Sequence, residues 1–142
     1  RTDARSALEA PLGSERALGE AIERLKAFAD LGADVLFLEA PRNEAEMARC
    51  CREVPGVHMV NMLEDGITPL LPPARLAALG YRLAAYPLTL LSCAVHAMQA
   101  ALSRLSTGQT PAHRVSFQAL RDIVGFDAYD ALLARYETGR GE

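Results

Sequence analysis

Four places in this sequence bring polar side chains to the end of a short apolar run, and together they could do chemistry on a small anion. Arg1 stands with Asp3, Glu39 closes "DVLFLEA", Asn61 is followed by Glu64, and Tyr86 is followed by Pro87. An arginine suits a substrate carboxylate, because its planar fork donates two parallel hydrogen bonds. A carboxylate such as Glu39 suits a hard cation like Mg²⁺, directly or through water. An asparagine amide can orient a second carboxylate or a developing enolate oxygen. Taken singly, each is also what a solvated loop would carry, so the case depends on the elements that position them.

Those elements repeat. "SERALGEAIERLKAFADLGA" has apolar residues at Ala17, Leu18, Ala21, Ile22, Leu25, Phe28 and Ala29, the spacing of one helix face, with Ser14 expected at the N-cap and Gly32 at the C-terminal end. "DVLFLEA" is too short and too uniformly apolar for a helix and reads as a strand buried on both faces. A second helix ("NEAEMARCCREV") and strand ("GVHMVNM") follow, then a third pair ("PPARLAALGY" and "RLAAYP"). Strand ends fall near Glu39, Asn61 and Tyr86, so regular βα units with parallel strands are predicted. In such folds reactive groups gather at the carboxyl edge of the sheet. No Gly-x-Gly-x-x-Gly turn follows any strand, which leaves the dinucleotide-binding open sheet without support. A closed barrel takes about 250 residues; this chain of 142 holds three complete strands and, at Arg1, the stub of another.

The long apolar-striped helix "LTLLSCAVHAMQAALSRLSTG" carries Leu88, Leu91, Val95, Met98, Leu102 and Leu105 at steps of three and four, a pattern for packing on another helix or on a barrel. Beyond a linker at Thr110 and Pro111, two short helices broken at Gly125 are expected. The domain reading is therefore a barrel part, 1–108, and a helical tail, 109–142. In "VNMLEDGITPLL", Gly66 is expected in a positive-φ turn, with Thr68 and Pro69 stiffening the exit.

Half the residues are apolar and the formal net charge is −3, which argues against disorder and against nucleic-acid binding. No apolar run approaches a membrane span and no export signal opens the chain, so a cytoplasmic protein is expected. The three cysteines (Cys50, Cys51, Cys93) make no disulfide framework and have no basic neighbour in sequence; they read as structural thiols. His58, His96 and His113 show no metal-ligand spacing.

"RTDAR", "AIERLKAFADLGADVLFLEAP", "NMLEDGITPLL", "LAALGYRLAAYPLTLL" and "VGFDAYDALLARY", in that order, resemble the isocitrate lyase and phosphoenolpyruvate mutase superfamily. The likeness is to the branch that holds methylisocitrate lyase, dimethylmalate lyase, petal death protein and carboxyphosphonoenolpyruvate phosphonomutase. It implies the C-terminal half of a (β/α)8 TIM-type barrel, in a homotetramer whose last helices are exchanged between subunits. It implies a Mg²⁺-dependent lyase that breaks a C–C bond in a small 2-hydroxy or 2-oxo dicarboxylate through an enolate-like intermediate. Rarer members move a phosphorus group between carbon and oxygen. By the same resemblance Arg1, Asn61, Pro87 and Leu88 bind substrate, and Glu39 belongs to the metal's outer coordination. Leu63 stands where some lyases of the family carry a hydroxyl residue, which leaves the substrate open. RTDAR then reads as the end of the fifth barrel strand. The aspartates that hold Mg²⁺ and the catalytic-cysteine loop would lie in the other half, and this segment alone would be inactive. A non-catalytic half-barrel that joins a partner is the alternative from another class.

Overall fold

Why the chain folds as it does is plainest in the helix that follows its first strand. The structure, a computed structural model, describes residues 1–137. The Asn43 side chain accepts a hydrogen bond from the Glu46 N–H and starts that helix, while Glu44 and Glu46 place negative charge in its first turn. Met47 and Cys50 form its buried face.

Two short helices, α1 (Ala4–Ala7) and α2 (Glu9–Leu12), precede α3 (Ser14–Asp30). Then β1 (Leu36–Phe37), α4 (Glu44–Glu53), β2 (His58–Asn61), α5 (Pro73–Leu79) and β3 (Tyr81–Ala85) alternate. The strands form one sheet in the order β1-β2-β3, every pairing parallel. Thr2 adds an isolated parallel bridge to Leu38, which lays the opening residues beside the end of β1. Met62 N–H donates to Ala85 O at 2.7 Å and continues the β2–β3 contact past the strand ends.

One core cluster joins α3 to the sheet and α4 through Leu18, Ile22, Leu25, Leu36, Leu38, Cys50 and Val54. A second, of Met47, Val60, Met62, Leu76 and Tyr81, lies under α4, α5 and β3. Residues 1–93 make one compact unit and 94–142 another; α6 (Thr89–Leu105) begins in the first and continues into the second. In the second unit α7 (Phe117–Val124) and α8 (Phe126–Glu137) meet at Gly125, which takes the left-handed conformation at φ 80°. Arg121 lies over the Phe126 ring at 4.9 Å and pairs with Asp130 at 3.1 Å.

Two local expectations need correction. Ser14 is the first helical residue rather than the cap; Gly13 holds the cap position, and the Ser14 hydroxyl accepts a hydrogen bond from Arg5. The positive φ of the loop after β2 falls on Asp65 (58°), not on Gly66. Gly66 is constrained by space instead, since a Cβ there would sit 3.0 Å from Leu63 O. β1 is buried, as its uniform sequence requires, but β3 is buried only at Tyr81 and half-buried at Ala85. Among the described residues it pairs with β2 alone, which leaves its outer edge without a strand partner there.

Candidate functional site

At the carboxyl ends of the parallel strands the chain leaves the core and polar residues collect. Thr2 N–H donates to Phe37 O at 3.0 Å and Glu39 N–H to Thr2 O at 3.1 Å, which fixes the opening segment beside the end of β1. Arg1 therefore comes over the Phe37 ring, 5.6 Å from its centroid, and its Nη2 approaches Glu39 Oε2 at 3.4 Å. Arg1 Nε and Nη2 both donate to Asp3 Oδ1, at 3.0 and 2.8 Å. Those bonds, with the charges of Asp3 and Glu39, raise the Arg1 pKa further and keep it a cation. Glu39 Oε2 is buried and has no hydrogen-bond donor. The next residue, Ala40, turns the chain away from the sheet at φ 53°, strained for a residue with a Cβ.

Glu39, Ala40, Asn61, Leu63, Gly66, Ile67 and Thr68 line one recess of about 220 Å³. Asn61 is the last residue of β2, and the following loop folds back over it with Leu63 and Ile67 as an apolar wall. Glu39 and Asn61, at the ends of β1 and β2, thus line one recess, and Arg1 lies beside it through its approach to Glu39. Leu88 lines a different recess with Leu63, Glu64, Asp65, Thr89, Ser92 and Cys93. Leu63 is the wall between the two. Pro87 is exposed and lines neither. Thr89 Oγ1 donates to Glu64 Oε1 at 2.6 Å, which ties the loop after β2 to the start of α6 and lowers the Glu64 pKa.

Leu63 was singled out in sequence only as the place of a hydroxyl residue in some lyases, and Ile67 as a cavity wall was not visible there at all. A loop of mixed polarity after a strand gives no sign of which side chains turn inward. His96 and His113, without ligand spacing in sequence, face one cavity of about 290 Å³ in the second unit together with Arg104. Cys50 Sγ lies 4.0 Å from His58 Nδ1, but burial pushes the Cys50 thiol up to about 12 and the Cys51 thiol up to about 11, so neither is an activated nucleophile.

No group of three or more His, Cys, Asp or Glu among the described residues is placed to hold a metal ion. What the site offers a cation is one buried carboxylate oxygen without a donor, Glu39 Oε2, and that fits a single position in an outer coordination shell. No helix among the described residues is long and apolar enough to cross a membrane.

Known proteins share the sequence pattern and the fold of this chain. Residues 1–106 match the family model described as phosphoenolpyruvate phosphomutase. The chain is 36% identical over 144 residues to 2,3-dimethylmalate lyase of Eubacterium barkeri, an alignment covering 99% of this chain and 47% of that protein. It is 33% identical to the chloroplastic carboxyvinyl-carboxyphosphonate phosphorylmutase of Arabidopsis thaliana, over 99% of this chain and 41% of the other. Its fold superposes on oxaloacetate acetylhydrolase, solved in complex with the product oxalate, with a TM-score of 0.76 and 29% identity, covering 94% of this chain and 45% of that one. The chain spans about half the length of the relatives it matches. Its parallel βα units are part of a (β/α)8 TIM-type barrel.

Proposed function

The chain belongs to the phosphoenolpyruvate phosphomutase and isocitrate lyase superfamily, and from that membership we propose that the whole protein is a Mg²⁺-dependent lyase. It would break a C–C bond in a small 2-hydroxy or 2-oxo dicarboxylate through an enolate-like intermediate. The observation that carries this is one recess lined by Glu39 and Asn61 from adjacent strand ends, with Arg1 3.4 Å from Glu39 beside it.

In this reading Arg1 receives a substrate carboxylate in place of some of its bonds to Asp3, with Phe37 setting the plane of approach. The Asn61 amide holds an oxygen of the reacting centre, and the apolar wall of Leu63 and Ile67 excludes water beside it. Glu39, whose buried Oε2 has no hydrogen-bond donor, would be one member of the outer shell of a bound cation. A bound Mg²⁺ would supply the Lewis acidity that favours negative charge on the substrate oxygen. Leu88 lines the neighbouring recess rather than this one, so its part in binding is to support the loop that carries Leu63, while Pro87 lines neither recess. The reading includes a cytoplasmic homotetramer that exchanges its last helices between subunits, and no nucleic-acid or membrane partner. The 142 residues by themselves are proposed to be inactive.

A phosphonomutase is the second reading, favoured by the 33% identity to the carboxyvinyl-carboxyphosphonate phosphorylmutase. A non-catalytic module is the third, favoured by exposed Leu91, Met98, Leu102 and Phe117 in the last helices. Incubating the whole protein with Mg²⁺ and either 2,3-dimethylmalate or phosphonopyruvate separates all three. C–C cleavage with loss of at least a hundredfold in Arg1→Lys or Asn61→Ala is expected, about the scale of a lost oriented donor. P–C rearrangement selects the second reading, and no turnover of either compound selects the third.

A further inference from the structure

We propose that Arg5 and Glu46 form a positioning clamp that sets the gap between Arg1 and Glu39. This rests on the reading of Arg1 as the substrate-binding residue and Glu39 as the outer-shell carboxylate beside it. Arg5 follows Arg1 by one turn of chain in α1, and its side chain is fully buried. Arg5 Nε donates to Glu46 Oε2 at 2.9 Å and Nη2 to Glu46 Oε1 at 2.7 Å, a two-pronged pairing between segments far apart in sequence. Nη2 also donates to Ser14 Oγ at 2.9 Å, and Nη1 lies 3.2 Å from Glu9.

The other side of Glu46 holds the loop after β1. Arg42 N–H donates to Glu46 Oε2 at 2.9 Å, and the Arg42 guanidinium pairs with Glu9. Only Ala40 and Pro41 separate Arg42 from Glu39, and Ala40 is in the left-handed region. The backbone bonds of Thr2 set how far Arg1 and Glu39 lie along the strands. Past those bonds the two segments diverge, and one carboxylate, Glu46, receives a donor from each of them.

A buried ion pair is a poor device for stability alone, since apolar groups of the same volume do as well or better. Its fixed fork geometry is what apolar packing cannot supply. Because the Arg5 side chain has no solvent access, it does not touch substrate; it acts through Arg1 and is a positioning residue.

The test uses the whole protein as wild type, Glu46→Gln, Arg5→Lys and Leu25→Ala. Leu25 is buried in the core of α3 and serves as a control that loses stability without touching the clamp. Crystal structures give the Arg1–Glu39 distance, and calorimetric titration with oxalate gives affinity. Both clamp variants should lose the 3.4 Å approach and bind oxalate about tenfold more weakly, the lower range for groups that orient a ligand set. Leu25→Ala should lower the melting temperature at least as far and bind oxalate as wild type does. If Glu46→Gln does not fold, Arg5→Lys, which keeps the charge without the fork, carries the same comparison. The proposal is overturned by an unchanged Arg1–Glu39 distance in the clamp variants, or by equal weakening in Leu25→Ala. A wild type that ignores oxalate while the distance opens in the variants removes the substrate reading and leaves the clamp standing.

Discussion

Gly80→Ala should destabilise the protein by about 2–5 kcal/mol, the sum of a backbone and a packing contribution. Gly80 ends α5 at φ 111°, and Tyr81, the next residue, already belongs to β3. A residue with a Cβ in a left-handed conformation costs about 1–2 kcal/mol. The added Cβ would also lie 2.8 Å from Cys51 Cβ. That atom is fixed by the backbone of α4 and cannot rotate away, so overpacking adds about 1–3 kcal/mol. Gly32→Ala is the matched comparison: its φ is 84° and a Cβ there meets nothing within 4 Å, so it carries the backbone contribution alone. Urea unfolding followed by circular dichroism separates the two. With a slope of about 2 kcal/mol per molar, the Gly80 variant should unfold about 0.5–1.5 M earlier than the Gly32 variant. Equal midpoints would refute the claim that α5 and β3 are joined in direct contact with α4. Because Met62 N–H bonds Ala85 O, a displaced β3 should also weaken whatever binds at Asn61.

Asn43→Ala removes the cap of α4 and should cost about 1 kcal/mol in thermal or urea unfolding, with Asn43→Asp nearly neutral; a loss within experimental error counts against the cap. Glu46 gives an acid-side signature. Burial alone would raise its pKa, but hydrogen bonds from Arg5 and the Arg42 N–H, with both charges, hold it below the ordinary 4.5. The resulting stability is fully present above that value and is lost as pH falls through the lower folded one. Wild type should therefore lose more stability than Glu46→Gln below pH 4.5, and parallel curves would contradict the pairing. With a thiol reagent, exposed Cys93 should react at once, while buried Cys50, pushed up to about 12, waits for unfolding; fast labelling of Cys50 in the native protein would show that α4 does not pack as described.

The repeating units were legible because the physics behind them is local. Leu36 and Phe37 are buried, and a strand covered on both faces has to be apolar throughout. Asn43 and Gly125 mark helix ends through hydrogen bonds and backbone angles that neighbouring residues set. From those elements the strand ends followed, and with them Glu39 and Asn61. Arg5 was not legible. In "RTDAR" it looks like one more solvated charge, and its burial depends on Glu46, 41 residues away. Ser14 failed for the same reason: its hydroxyl is engaged by Arg5, and that tertiary bond overrides the local preference for capping. The turn after β2 shows a subtler limit. Asp65 takes the positive φ because Gly66 is needed one place later, where Leu63 O leaves no room for a side chain.

Site and fold are connected by the order of the strands. The opening segment, β1 and β2 are neighbours in space in the same order as in sequence, all parallel. Adjacent parallel strands lie about 4.8 Å apart, so groups on three consecutive ends span roughly the width of a small dicarboxylate. That spacing belongs to the backbone ladder and not to the side chains, which is why an acid can meet a guanidinium on one side and share a recess with an amide on the other. The ladder stops at Thr2 and Glu39, however, and the rest of the distance is crossed by loops. In the loop after β1 the strained Ala40 is followed, two residues on, by an N–H bonded to Glu46. Strand pairing thus sets the coarse spacing of the recess, and a buried charge pair outside it sets the remaining fraction of an ångström.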